Sequence, residues 1–437
     1  MKRIILFLAA SVLVCFSLNA QSVRELIEQK PVRAAGNHNP YETPDVILNT
    51  RAPKGYKPFY VSHYSRHGSR YKTNDNDFKK YLPILEAVEK EGLFTEEGLQ
   101  LANDIRTLGK EHENMVGLLT VVGGMEHQGI AERLYDRVPQ VFNQPDRPRV
   151  FAVSTTVHRV IESMGNFTTA LKGKAPDIKP VILSGDRFTN YLCYERYRMP
   201  MPKVNVNHIK DSLATVYVNP ERFSKAIFTN PEKAAAVLAE QSKGLTLTSF
   251  MQKMFVVGSI SYCLDQNNPD MFRYFTADEL YGLWYCENAS LINNYSFTVE
   301  NQCGKTLTGQ LILNDIIEKA DDAIKGNNRC ADLRFGHDSG IGPLLALMGV
   351  EGYDKVLSIA HDDLDYWAGF KYLNMASNLQ MIFYKNKKGD VLVKMYRNEN
   401  ETTIPALKPA YGPYYKWEDL RAYLIGKLDG FKNPLEN

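Results

Sequence analysis

The spacing of hydrophobic residues changes along the chain, and each change predicts a switch between strand and helix. Continuous apolar, aromatic or β-branched runs predict buried strands at 57–65, 149–156 and 179–185. Apolar residues at three- and four-residue spacing predict amphipathic helices across 74–140 and 157–173. Strands that alternate with helices are typical of an α/β core.

The same pattern returns near the end of the chain. A strand is predicted to end at Gly336, with an apolar helix starting near Pro343, and an alternating hairpin follows at 379–399. Between these two regions strand-like runs are scarce, and helix-compatible stretches rich in tyrosine and proline dominate. The predicted division is an α/β core at 21–185 and 309–437 and a mostly helical cap insertion at 186–308.

The first twenty residues have the composition of a secretory signal peptide. Two basic residues precede an apolar run over 4–18, and cleavage is expected after Ala20. We therefore predict that 1–20 are removed and that the protein is exported, to the periplasm or out of the cell. Cys15 raises the alternative of a lipoprotein anchor, which the bulky Val14 before it disfavours. No later stretch has about 18 consecutive apolar residues, so no membrane span is predicted in the mature chain.

The charge balance argues against nucleic acid as a partner. The chain has 52 Lys and Arg against 50 Asp and Glu, and loss of the two basic residues in the signal peptide leaves 50 against 50. A nucleic-acid-binding protein usually has a basic excess. Any anion site must therefore be a local cluster, and its partner a small anionic molecule.

Five of the six cysteines remain after the predicted cleavage. Export would place them in an oxidising compartment where disulfides form, but the odd number leaves at least one unpaired. None has the Cys/His spacing of a zinc site. The sequence leaves their pairing open, as it does the oligomeric state. They are Cys193, Cys263, Cys286, Cys303 and Cys330.

Residues 63–73, HYSRHGSRYKT, place two histidines and two arginines around a glycine directly after a predicted strand. A metal site, a salt-bridged surface turn and a phosphate pocket are the possible interpretations. His63 and His67 have the spacing of two ligands on one helix face, but Gly68 and the preceding strand disfavour a helix there. Guanidinium groups match the oxygens of a phosphate monoester, and an imidazole can attack phosphorus. This stretch alone supports a phosphate pocket and surface pairing of Arg66 and Arg70 equally.

Two further motifs follow predicted strands, and ligands of open α/β sheets bind beyond the carboxyl ends of the strands. In FGHDSG, His337 and Asp338 stand at a strand end, where a carboxyl group can protonate a leaving alkoxide; a plain helix cap is the alternative. A second pair, His361–Asp362, follows no strand and lies among acidic residues that would repel phosphate. In STTVHR, Arg159 lies one turn into the next predicted helix.

Together these motifs resemble the histidine acid phosphatases, a family that includes the phytases. Residues 66–70, RHGSR, match its Arg-His-Gly-x-Arg signature, His337–Asp338 match its later His-Asp pair, and Arg159 matches an arginine after a Ser-Thr strand end. RHGSRYKT, DLRFGH and VLVKMYRNENETTIP are most similar to the multiple inositol polyphosphate phosphatases. That subgroup usually has His-Ala-Glu where this chain has residues 337–339, so Asp338 resembles the acid of the phytases and acid phosphatases outside the subgroup. The subgroup also usually has a proline where this chain has Lys72.

The resemblance implies a phosphoglycerate mutase-like α/β core with a helical cap. It also implies a mechanism without metal or other cofactor, in which a histidine attacks phosphorus and becomes phosphohistidine. A carboxylic acid then protonates the departing alcohol, and water hydrolyses the phosphoenzyme. The residues implied are His67 and Asp338 for catalysis, Arg66, Arg70, Arg159 and His337 for phosphate binding, and, as candidates for further substrate contacts, Lys72 and Thr73.

The predicted function is hydrolysis of phosphomonoesters, with phytate or another inositol polyphosphate as the favoured substrate. A broad acid phosphatase or sugar-phosphate phosphatase is the alternative within the class, and a non-catalytic phosphate-ligand binding protein the alternative outside it. Because binding alone needs neither a nucleophile nor an acid, His67 and Asp338 count against the latter. An acidic optimum is expected, since Asp338 must be protonated to act and its environment can raise its pKa.

Overall fold

A computed structural model describes residues 21–146, 149–189, 191–192, 204–264, 268–301, 307–359 and 362–430. The predicted signal peptide, His361 of the second His-Asp pair, Cys193 and Cys303 lie outside these residues. The thiols of Cys263, Cys286 and Cys330 are buried and free.

The strands of the described residues form one eight-stranded sheet. They are β1 (Lys57–Arg66), β2 (Arg149–Ser154), β3 (Lys179–Ser184), β4 (Arg329–Gly336), β5 (Asn378–Lys385), β6 (Val391–Arg397), β7 (Asn400–Thr402) and β8 (Tyr414–Lys416). Their order is β3-β2-β4-β1-β5-β6-β7, with β8 also paired to β6. The four strands from β3 to β1 are parallel, and the pairs from β1–β5 onward are antiparallel. The predicted strands and the hairpin are confirmed.

Helices surround the sheet. They are α1 (Val23–Gln29), α2 (Asn76–Lys90), α3 (Glu96–Glu111), α4 (Val121–Arg137), α5 (Pro139–Phe142), α6 (His158–Lys174), α7 (Asp186–Thr189), α8 (Val206–Tyr217), α9 (Glu221–Ile227), α10 (Pro231–Gln241), α11 (Leu247–Gly258), α12 (Ala277–Tyr295), α13 (Leu307–Lys325), α14 (Asp338–Met348), α15 (Gly369–Tyr372) and α16 (Trp417–Gly430). In the described part of 186–308 there are helices and no strand of the sheet. The division into core and cap stays a prediction. Among the described residues, no helix combines the length and apolar composition that crossing a bilayer requires.

One helix boundary was predicted wrongly. The helix expected near Pro343 begins five residues earlier, at Asp338, with His337 as its N-cap. A proline inside a helix leaves the carbonyl four residues earlier without its N–H partner, and here that carbonyl belongs to Ser339. Thr308 Oγ1 lies 3.4 Å from the Ser339 oxygen and donates to it instead. Because α14 begins at Asp338, its N-terminus, which is the positive end of the helix dipole, lies at the edge of the sheet.

The two faces of the sheet carry separate apolar clusters. Successive residues of β1 alternate between them: Tyr60 and Tyr64 pack on the side of α12–α14 and the helices before them, whereas Val61 packs on the side of α4, α5 and α6. This alternation is the ordinary consequence of strand geometry. Both faces of β1 are therefore covered, and its carboxyl end is held from two sides.

Two histidines lie in the core on the α4–α6 side of the sheet. His63 of β1 and His127 of α4 are fully buried, and the His63 ring centroid lies 4.9 Å from that of Phe167. Burial lowers the pKa of both to about 3, with His127 and Arg334 adding to the effect on His63. Because His63 lies on a strand and is enclosed by aromatic rings, it does not form a helical pair with His67. Among the described residues, no group of three or more His, Cys, Asp or Glu is placed to hold a metal ion.

We expect His63→Phe to make the folded protein more resistant to acid. An unfolded chain protonates the imidazole below its ordinary pKa of 6.5, whereas the folded protein keeps it neutral down to about 3. The unfolded state then binds more protons, so the free energy of unfolding falls as the pH drops below 6.5 and levels off near 3. Removing the imidazole removes this loss, about 2 kcal/mol at about pH 5.

Urea unfolding near pH 7 and near pH 5 measures the effect. The matched control is His208→Phe on α8, where the side chain is exposed, and it should show no such gain in acid. An identical pH dependence of unfolding in wild type and His63→Phe would contradict the account.

Candidate active site

The carboxyl ends of three adjacent parallel strands bring the predicted site residues to one edge of the sheet. β1 ends at Arg66, opposite Gly336 at the end of β4, and β2 lies on the other side of β4. His67 directly follows β1, His337 directly follows β4, and Arg159 lies in the first turn of α6 after β2. Residues far apart in the sequence therefore meet because the strands before them are neighbours.

Arg66 is fully buried beneath the site and holds Asp338. Its Nη1 donates to the backbone carbonyls of Asn37 and Leu373, at 2.7 and 2.8 Å, and its Nη2 lies 3.1 Å from Asp338 Oδ2. Asn37 Nδ2 donates to the same oxygen at 3.3 Å. Burial raises the pKa of Asp338, but Arg66, His337 and Arg70 outweigh burial and bring that pKa below its ordinary value. The environment therefore lowers the pKa of Asp338 with these partners and does not raise it, as the sequence analysis had allowed.

His67 presents one ring nitrogen to the site. Its Nδ1 lies 2.9 Å from the Gly68 carbonyl oxygen. A carbonyl only accepts, so Nδ1 carries the proton and Nε2 keeps its lone pair. The ring is 2% exposed and packs edge-on against His337, with 5.6 Å between centroids. Burial, followed by the charges of Arg159, Arg66 and Arg70, holds the pKa of His67 well below its ordinary value. These surroundings therefore favour the neutral imidazole.

Two more arginines, Arg70 and Arg159, complete a cationic cluster beside His337. Arg70 is 9% exposed, and burial with the charges of Arg66 and Arg159 lowers its pKa to about 10. His337 Nε2 lies 3.2 Å from Thr155 Oγ1, and burial, followed by the charge of Arg159, lowers the pKa of His337 to about 3. Arg159 Nη1 donates to the Gly117 carbonyl at 3.4 Å. The burial of Arg66 and Arg70 excludes the surface-turn interpretation.

The two candidates for further substrate contacts lie beside this cluster. Lys72 is 8% exposed and forms an ion pair with Asp77, with 2.7 Å between Nζ and Oδ2. Its charge contributes to lowering the pKa of His38, which places it close to the Arg70 side of the site. Thr73 is exposed. Asp77 thus neutralises part of the charge that Lys72 would offer to an anion.

Four residues near the site were missed by sequence reasoning. Asn37 contacts Asp338 as described above, and the His38 Nε2 lies 3.5 Å from Arg70 Nη2. Burial and the charge of Asp338 raise the pKa of Tyr295 well above its ordinary value. The fourth is Glu126 of α4, which binds the segment around Ser69. The segment carrying Asn37 and His38 has the Pro/Gly/Asn composition of a linker, and no periodicity marks it as part of a site.

The loop after β1 packs directly on the first turn of α4. A Cβ on Gly68 would lie 2.4 Å from the Gly123 carbonyl oxygen, and one on Gly123 would lie 2.2 Å from the Ser69 carbonyl oxygen. Both contacts are to backbone atoms, so either the loop or α4 would have to move to relieve them. The two glycines are therefore required by close approach of the two backbones.

Comparison with known proteins places the chain in a family. The sequence model of the histidine phosphatase superfamily (branch 2) matches residues 60–398, and the chain belongs to this family. It is accordingly a hydrolase of phosphomonoesters. A search of curated proteins finds no significant match.

Solved structures share the fold along nearly the whole chain. The multiple inositol polyphosphate phosphatase of Bifidobacterium longum in complex with phosphate has a TM-score of 0.75 and 19% identity, covering 91% of this chain and 98% of that one. The same enzyme in complex with inositol hexasulfate has a TM-score of 0.72 and 19% identity, covering 90% and 97%. The phytase from D. castellii has a TM-score of 0.66 and 18% identity, covering 91% and 86%. At these identities the likeness establishes the fold.

We expect Gly123→Ala to destabilise the protein by about 1–3 kcal/mol, the usual cost of an extra methyl group in a packed site. The added methyl group would push Ser69 and its neighbours away from α4, so phosphatase activity should fall as well. Gly165→Ala on α6 is the matched control, because its Cβ would meet nothing within 4 Å. That change should stabilise by up to about 1 kcal/mol, as alanine does in helices.

Thermal unfolding and turnover of p-nitrophenyl phosphate measure both variants. A Gly123→Ala protein as stable and as active as Gly165→Ala would show that the close approach of the two backbones does not hold.

Proposed function

We propose that the protein is an exported histidine phosphatase that hydrolyses inositol polyphosphates, phytate among them, through a phosphohistidine at His67. The observation that carries the mechanism is the protonation of His67. Its Nδ1–H is bound to the Gly68 carbonyl, and Nε2 keeps a lone pair among three arginines. A neutral imidazole that faces concentrated positive charge is suited to attack on a bound phosphate dianion.

Binding of the phosphoryl group uses the arginine cluster. The dianion would lie between Arg66, Arg70 and Arg159, whose mutual repulsion it relieves, as the lowered pKa of Arg70 indicates. His337 lies between Thr155 and the His67 ring, from where it can donate to a phosphoryl oxygen. These groups are buried before the substrate arrives, so little reorganisation is needed as charge develops.

Two displacements complete the reaction. In the first, Nε2 of His67 forms a bond to phosphorus while the bond from phosphorus to the ester oxygen breaks, and Asp338 gives its proton to the departing alkoxide. In the second, water attacks phosphorus, Asp338 takes a proton from that water, and the bond from phosphorus to Nε2 breaks. Inorganic phosphate leaves, and both side chains return to their starting states.

Binding of the substrate can itself favour the protonated form of Asp338. Arg66 and Arg70 lower the pKa of Asp338. A phosphate dianion bound by the same arginines cancels their positive charge at the carboxylate and adds negative charge close to it. Both changes raise the pKa of Asp338. Asp338 would then gain a proton as substrate binds, and more readily in acid, which supports the expected acidic optimum.

The inositol polyphosphate substrate rests on similarity and on the chemistry of the cluster. The chain has the fold of an inositol polyphosphate phosphatase whose structure was determined with inositol hexasulfate. Lys72, paired with Asp77, acts on His38 together with Arg70 and is a candidate cation for a second phosphate group. A general or sugar-phosphate phosphatase is the alternative. Export rests on the signal-like segment 1–20, and a secreted chain starting at Gln21 is its measurable consequence.

We expect His67→Ala to abolish release of phosphate from phytate and from p-nitrophenyl phosphate, because the variant lacks the Nε2 that forms the bond to phosphorus. Wild type should release phosphate from both in the presence of EDTA, with a higher kcat/KM for phytate. His208→Ala, at an exposed position of α8, is the control and should remain fully active.

Release from the small ester alone would move the proposal to a general phosphatase. Turnover that survives in His67→Ala would contradict the mechanism, and wild-type protein that binds phosphate without turnover would favour the binding-protein alternative.

We expect Asp338→Asn to be selective for the leaving group. An alkoxide of an inositol ring needs a proton to depart, whereas p-nitrophenolate leaves without one. The variant should therefore lose about 100-fold or more in kcat on phytate and much less in phosphoenzyme formation from p-nitrophenyl phosphate. Rapid-mixing measurement of the p-nitrophenol burst separates this first step from hydrolysis. Equal losses in the first step with both esters would remove Asp338 from the role of acid.

A further inference from the structure

Ser69, the variable residue inside the RHGSR stretch, is tied to α4 through all its polar groups. Its backbone N–H and its Oγ–H donate to the two carboxylate oxygens of Glu126, each at 2.7 Å. Its carbonyl accepts from the Thr120 N–H at 3.0 Å. The residue is fully buried, so these bonds have no competition from water and fix both its backbone and its side chain.

The carboxylate of Glu126 has a further donor from a second part of the site. The Tyr41 N–H donates to Glu126 Oε1 at 2.8 Å, and Tyr41 lies four residues after Asn37, which contacts Asp338. One carboxylate thus joins α4, the loop after β1 and the segment that holds the acid. Burial raises the pKa of Glu126 above its ordinary value, and the bonds from Tyr41 and Ser69 and the charge of Arg66 act against that rise.

The position of Ser69 in the chain gives these bonds a consequence for the site. Ser69 separates His67 and Gly68 from Arg70, so a shift of Ser69 moves the nucleophile and a phosphate-binding arginine together. The Gly68–Gly123 contact already presses this loop against α4. Contact alone prevents movement toward the helix, whereas the two bonds to Glu126 prevent movement away from it and rotation about the chain.

We propose that Glu126 is a positioning residue, which acts through Ser69 to hold His67 and Arg70 in the geometry for attack on phosphorus. This inference rests on the proposed function. Carboxylate oxygens serve here because each accepts without offering a proton in return, and the two donors of Ser69 require two acceptors in a fixed geometry. An amide of the same shape would satisfy one donor and direct its own NH2 group at the other.

The experiment compares Glu126→Gln, Ser69→Ala and the double variant in steady-state turnover of p-nitrophenyl phosphate. Glu126→Gln should lower kcat by about 10- to 100-fold, the range for a misplaced reacting group. Its inhibition constant for inorganic phosphate should change much less, since Arg66 and Arg159 lie outside the segment that Ser69 moves. The control is Glu132→Gln, the same change at an exposed position of the same helix, and it should behave as wild type.

The double variant separates positioning from a general loss of stability. If Glu126 acts through Ser69, adding Ser69→Ala to Glu126→Gln should cost little more in kcat/KM, because coupled residues are not additive. Losses that multiply, or a kcat unchanged by Glu126→Gln in protein shown to be folded by thermal unfolding, would overturn the inference. Should Glu126→Gln fail to fold, an unchanged kcat in both Glu126→Asp and Ser69→Ala overturns it equally. Wild-type protein without turnover would instead refute the proposed function.

Discussion

Burial of the Arg66 guanidinium at the end of a central strand is the constraint around which the site is built. A buried cation costs several kcal/mol unless it is hydrogen-bonded and paired. Arg66 meets this requirement through two backbone carbonyls, from Asn37 and Leu373, and through Asp338. These partners come from three distant segments of the chain, so neutralising one side chain brings Asp338, the loop after β1 and the N-terminal segment together.

The same cations explain how one cluster can favour both a nucleophile and an acid. Burial and the arginines keep His67 neutral, which leaves its Nε2 able to attack in acid. Arg66 and Arg70 also lower the pKa of Asp338, and in the proposed mechanism a bound anion competes for them. A bound dianion would raise the pKa of Asp338 again. The pKa of His67 would stay low, because burial is the largest cause of its shift. In the proposed mechanism the protonation of Asp338 therefore depends on the presence of the substrate.

The parts of the site that follow strands were predictable from the sequence, and those placed by long-range packing were not. Arg66, His67, His337 and Asp338 stand at the ends of runs whose apolar character marks strands, and neighbouring parallel strands bring their ends to one edge. His38 and Tyr295 reach the site from a segment without periodicity and from the end of a helix, and no local pattern points either of them there. The start of α14 was misplaced because proline is typical of a first helical turn, whereas Thr308 here offsets the bond lost at Pro343.

The most direct test of the account is to identify the phosphorylated residue during turnover. Wild-type protein mixed with p-nitrophenyl phosphate, quenched in alkali within the first turnover and digested, should carry one phosphoryl group on the peptide that contains His67. Alkali preserves a phosphohistidine and destroys an acyl phosphate, so the quench also distinguishes His67 from Asp338 as the attacking group. A phosphoryl group on any other residue, or turnover by direct attack of water without a phosphoenzyme, would contradict it.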